Sequence, residues 1–120
     1  MSDKEKELLL KDLCARLSYE VKGLHRGEIQ RLLIMDSFGS YQVNGYAAWF
    51  NLDIVPFKPY LRPMSSMTEE EKEEYDKTFD WDYSIQGTPF DWLNMHHFDF
   101  RGLIERGLAL EAPENMYKNE

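Results

Sequence analysis

The chain has a single cysteine, Cys14, in 120 residues. That excludes an internal disulfide and a cysteine-based zinc cluster. Long apolar runs are missing as well. The longest, such as Leu8–Leu10 and Leu32–Met35, are far too short to cross a bilayer. There is no glycine-rich phosphate loop, since "FGS" at 38–40 and "VNG" at 43–45 are turn motifs. No serine sits in a nucleophile elbow. Cations are scarce: 14 Lys and Arg stand against 22 Asp and Glu, a formal charge of −8. Such a chain repels nucleic-acid phosphates and anionic membrane surfaces, so neither direct nucleic-acid binding nor membrane association is expected. The opening "MSDKEKELLLKD" is charged and lacks a signal-peptide core, which makes the expected compartment cytoplasmic.

What is present suits one packed domain over 1–120. The hydrophobic fraction is 42%, with seven Phe, seven Tyr and three Trp, and a chain of this length buries roughly two-thirds of its unfolded surface. The charge is uneven. Residues 1–24 cancel, 25–63 carry +1, 64–82 carry −6 and 83–120 carry −3. A basic and aromatic patch is therefore confined to the middle third.

The patterning predicts an α+β fold. A helix over 1–18 starts at a capping box of Ser2 and Glu5, with Leu10, Leu13, Cys14 and Leu17 on its core stripe. Cys14 then reads as a small buried apolar residue. From 19 to 62 the pieces are short, aromatic or β-branched, and broken by glycine. They suggest three to five strands in a small curled antiparallel sheet or SH3-like barrel, packed on the N-terminal helix. Within it, "EIQRLLIM" (28–35) suits a central strand but also carries helical spacing at Ile29, Leu32 and Leu33, and both readings stay open. Asn44-Gly45 marks a tight type I′ hairpin. The prolines of "NLDIVPFKPYLRP" point to an edge strand.

Two to three short helices follow. Thr68 and Glu71 form a capping box at the start of an acidic helix over 65–79. A helical pair is expected over 88–107: Thr88-Pro89 opens one member with Asp91 at N3, and Asp99 caps the other, which ends at Gly107. Between them "DWDYSIQG" (80–87) reads as a loop or short strand, and 108–120 as an extended tail.

Few residues invite chemistry. His96 and His97 are adjacent, and consecutive residues on a helix point about 100° apart, so they do not share a metal. The i−4 neighbours are Trp92 for His96 and Leu93 for His97, neither a ligand. One ring is expected to pack on Leu93 and Phe90, the other to be exposed or bonded to a carbonyl. His25, between Leu24 and Arg26, reads as a solvated turn residue. No metal, no cofactor and no catalytic residue is indicated. The remaining candidates are binding residues: Arg26, Arg31, Tyr41, Tyr46, Trp49, Lys58, Tyr60 and Arg62 mix cations with flat rings in the small β region.

Three stretches are specific strings: "LLLKDLCARLSYEVKG" (8–23), "KPYLRPMSSMTEEEKEEYD" (58–76) and "DWLNMHHFDFRGLIERGLALEAPENMY" (91–117). Together they resemble a family of small uncharacterised proteins from gut anaerobic bacteria, their prophages and their mobile elements. The resemblance implies cytoplasmic expression in a phage or mobile-element setting and brings no activity or site residues. It does not reach 24–54, which by the same token holds what is particular to this member. The leading expectation is a non-catalytic module that binds a protein partner, for instance to inhibit a host defence or regulatory protein. The alternatives are a sponge for a nucleotide signal, which needs a basic pocket shared across a homo-oligomer, and an acidic decoy that mimics DNA through 69–82.

Overall fold

The computed structural model describes residues 1–79 and 88–117. Helix α1 spans Asp3–Arg16, and the capping box is in place: Ser2 accepts from the Glu5 amide while the Glu5 carboxylate accepts from the Ser2 amide. Strands β1 (Lys22–His25), β2 (Glu28–Met35), β3 (Ser40–Val43), β4 (Phe50–Asn51) and β5 (Phe57–Leu61) follow. Then come helices α2 (Glu69–Lys77) and α3 (Pro89–Met95), and the short strand β6 (Leu110–Glu111). The strand order is β4-β3-β2-β1-β5-β6. All pairings are antiparallel except β5 with β6, which is parallel. The sheet is thus mixed and open, not an antiparallel curl or an SH3-like barrel. The parallel edge comes from 108–117, which was expected to trail away as a tail.

Residues 28–35 are strand, and of the helically spaced Ile29, Leu32 and Leu33 only Leu32 is buried. A bulge at Leu33 shifts the register between Leu32 and Ile34. The buried positions thereby become Leu32 and Met35, three apart. The tight hairpin lies elsewhere than expected. Arg26 and Gly27 join β1 to β2 with φ of 52° and 81°, the pair of positive angles a type I′ turn requires. At 44–45 only Gly45 has a positive φ, and β3 joins β4 through the longer loop 44–49.

Strand β5 is internal despite Pro59. Its Tyr60 carbonyl faces the β1 side, and the Leu61 carbonyl accepts from Ala112 on the β6 side. Backbone alternation therefore turns the Pro59 nitrogen toward β6, one residue before β6 begins at Tyr60↔Leu110, so no ladder bond is lost. Across the β1–β5 pair, Gly23 leaves room for the Phe57 ring and the Lys58 carbonyl.

One core lies between α1 and the inner sheet face, built from Leu9, Leu13, Val21, Leu32, Tyr41, Val43, Phe57, Leu61 and Leu103. The buried stripe of α1 is Leu9, Asp12, Leu13 and Arg16, rotated from the apolar stripe expected, and Cys14 is exposed. The stripe includes charge because Asp12 is bonded from both sides, by Arg16 Nε at 2.9 Å and Arg101 Nη1 at 2.6 Å. A second cluster joins Trp92, Leu93 and Phe98 with Tyr75 and Met67, and so seats α2 on α3. Capping boxes start both helices, at Thr68/Glu71 and Thr88/Asp91. The expected helix after Asp99 is replaced by turns. Its carboxylate does accept from the Leu103 and Ile104 amides, at 2.8 and 3.0 Å. The 80–87 stretch lies outside the described residues.

Candidate functional site

Alternation along the strands divides the sheet into two faces. The inner face meets α1. The outer face carries Lys22 and Leu24 of β1, Ile29 and Arg31 of β2, Gln42 of β3, and Lys58 and Tyr60 of β5. Register places Lys22 beside Arg31, and Leu24 between Ile29 and Lys58. The bulge adds Leu33 and Ile34. Three aliphatic side chains of this one strand are left open: Ile29 at 53%, Leu33 at 38% and Ile34 at 46% exposure. Sequence reasoning missed this aliphatic row. The signal was available in the apolar second half of β2, which would suit a strand covered on both sides.

Of the eight expected binding residues, the structure gathers Arg31, Lys58 and Tyr60 on this face. Arg31 also lies 3.3 Å from Glu20. Arg26 stands exposed at the β1–β2 turn. Tyr46 and Trp49 sit in the exposed 44–49 loop, where the Tyr46 hydroxyl bonds Glu28 at 3.1 Å. Arg62 is turned away. It holds Glu71 with two bonds of 2.7 Å and stacks over the Phe98 ring at 4.1 Å. The Arg62 bonds keep the Glu71 carboxyl down at about 2. Tyr41 is not on a binding face at all: it is fully buried, because the inward register of β3 carries it into the core.

Tyr41 instead orders His25, which is buried and not a solvated turn residue. The Tyr41 hydroxyl donates to the Val55 carbonyl at 2.7 Å. Its oxygen must then accept from His25 Nδ1, 3.0 Å away, which assigns the proton to Nδ1 and leaves Nε2 bare. Phe50, at 4.4 Å between centroids, and Tyr46 enclose that ring. Burial lowers the His25 pKa and keeps the ring neutral.

The adjacent histidines do diverge, with partners other than those expected. His96 ends α3 and packs on Trp92, 4.2 Å between centroids. His97 leaves the helix with φ 64° and stacks on Tyr117 at 3.6 Å. Burial, then repulsion from Arg16, His96, Arg62 and Lys22, lowers the His97 pKa to about 3. Among the described residues no group of three His, Cys, Asp or Glu side chains is placed to hold a metal ion. No described helix is long and apolar enough to cross a membrane.

Tyr117 also bounds the outer face. Its hydroxyl accepts from the Lys22 amide at 2.9 Å and donates to the Tyr60 carbonyl at 2.7 Å, filling the place where the β1–β5 ladder stops. Beside it a cleft of about 600 Å³ runs between the start of α2 and residues 111–117, with Glu111 and Glu114 on its wall. On α2 itself one side is occupied, since Glu71 is tied to Arg62, Glu74 accepts from Trp92 Nε1, and Tyr75 packs on Trp92.

Comparison with protein-family models, with curated proteins and with solved structures finds no match.

Proposed function

We propose that this chain is a non-catalytic interaction module whose outer sheet face docks a protein with an apolar centre and an acidic rim. The observation that carries the reading is the open row of Ile29, Leu33 and Ile34, set beside Arg31 and Lys58 in a chain of charge −8. Aliphatic side chains left open on a central strand are what a partner covers. The local cations favour an acidic rim on the partner. In the phage or mobile-element setting that the sequence resemblance implies, the role is inhibition of a host defence or regulatory protein.

The test is capture from a host lysate followed by hydrogen-exchange footprinting of the purified pair. Support requires protection of residues 22–34, and loss of binding by tenfold or more in Ile29→Asp and in Arg31→Glu. Burying one such aliphatic side chain contributes roughly 1.5–3 kcal/mol, enough for that loss. Glu73→Lys on α2 should leave binding intact. Capture that survives both face variants, or a footprint on α2, would sink the reading. The α2 footprint would favour the acidic decoy.

A further inference from the structure

The sheet has a gap at its β6 edge. β6 pairs with β5 only at Tyr60 and Leu61, and toward the start of β5 the chain at 106–108 draws away into a turn. That turn closes on itself, with the Gly107 amide bonded to the Ile104 carbonyl and the Leu108 amide to that of Leu103. A groove of about 430 Å³ remains between 106–108, the first turns of α1 and the loop before β5. Its floor is the outer skin of the main core: Leu9, Leu52, Phe57 and Leu108.

The rim is polar and unevenly engaged. Glu5 and Asp53 both border the groove and keep their charge, each with one partner already in place. Glu5 accepts from the Ser2 amide at 2.9 Å, and Asp53 is paired with Lys6. Lys58 and Arg106 stand on the same rim without a carboxylate in ion-pair range among the described residues. These two cations, held by no described carboxylate within 4.0 Å although the Glu5 charge reaches Arg106, stand beside an apolar floor.

We infer that this groove binds a small amphipathic anion, an aliphatic or aryl carboxylate whose head group meets Arg106 and Lys58 and whose body lies over Leu9, Leu52 and Leu108. A guanidinium offers two parallel donors to a carboxylate, which fixes orientation as well as charge. At about 30 Å³ for each displaced water, the groove takes a ligand of about a dozen non-hydrogen atoms. Affinity for so small a body is expected near the millimolar range. This groove shares Lys58 with the edge of the outer face, while Arg106 and the apolar floor belong to the groove alone.

Octanoate is a suitable probe, titrated into the full chain and followed by amide NMR shifts. Saturable shifts at Leu9, Leu52, Phe57, Gly107 and Leu108 are expected. Octanol, of the same length and uncharged, should bind several-fold more weakly, and Arg106→Glu should weaken octanoate by about tenfold while the remaining spectrum stays that of the folded chain. Lys58→Gln gives a second, milder variant with the same direction of effect. Absence of saturation by about 10 mM octanoate, shifts centred elsewhere, or an affinity indifferent to Arg106→Glu would overturn the assignment. Equal binding of octylammonium would do so as well, because the head group would then not be read. These outcomes leave the outer-face reading untouched, since that one is scored by Ile29 and Arg31.

Discussion

Acidification from pH 7 to pH 5 should weaken the fold through His97 in particular. The ring is buried, stacked on Tyr117, and ringed by Arg16 of α1, Lys22 of β1, Arg62 beyond β5 and the neighbouring His96. Burial first, and those charges second, hold its pKa at about 3 against an ordinary 6.5. Below pH 6.5 the unfolded chain takes up a proton that the folded chain refuses, so stability is complete above that value and falls as pH drops toward 3. One pH unit of such mismatch is worth about 1.4 kcal/mol, so the loss by pH 5 is ~2 kcal/mol. Urea unfolding of the wild type and His97→Asn at several pH values isolates the effect, because asparagine tolerates the positive φ and carries no proton there. His25 and His96 also have lowered pKa values from burial, but they are common to both proteins and cancel. The constant offset between the two proteins reports the lost stacking; only the change of that offset with pH reports the titration. Parallel stability curves for the two proteins, or an NMR titration of His97 centred near 6.5, would refute the reasoning.

Three further outcomes follow from contacts already described. Asp12→Ala strands the buried guanidinium of Arg16 and should cost about 3–5 kcal/mol in urea unfolding; a loss under 1 kcal/mol would contradict the burial of that pair. Tyr117→Phe removes the hydroxyl that serves both the Lys22 amide and the Tyr60 carbonyl, and should cost about 1–3 kcal/mol and speed amide exchange at Lys22. Gly23→Ala sets a methyl group about 2.7 Å from the Lys58 carbonyl oxygen, too close for the β1–β5 pair, and a drop in stability of about 1–3 kcal/mol is expected by thermal or urea unfolding.

What could be read in the sequence was local. The capping boxes at Ser2/Glu5 and Thr68/Glu71 each bind within a span of three residues and are where spacing put them, and the helix start expected at Thr88-Pro89 carries a third box with Asp91. What escaped depends on partners far along the chain. Asp12 and Arg16 look like solvent-facing charges until Arg101 and the Phe98 carbonyl arrive to bond them, which is why Cys14 seemed to belong on the stripe instead. Residues 28–35 suggested a helix as well as a strand because Ile29 and Leu33 are apolar yet exposed, one on the outer side of β2 and one at its bulge, and so completed a helical spacing with the buried Leu32. The type I′ turn escaped because its first residue is Arg26, a side chain seldom found at positive φ, whereas Asn44-Gly45 has the favoured composition without that geometry. The candidate face was legible in its charges and not in its aliphatic row, since nothing local announces that the outer side of β2 lacks a covering layer. Tyr41 shows the converse: an aromatic on a strand looks the same in sequence whether it turns inward or outward.

The Tyr117 seam has a consequence for how the protein is made. Lys22 waits for a partner 95 residues downstream. During synthesis α1 and the first hairpin emerge long before the side chain that seals them, so the nascent chain carries an unfinished junction until Tyr117 has been added. Products cut short before that tyrosine should therefore be the ones proteases clear first, because their β1–β5 junction stays open.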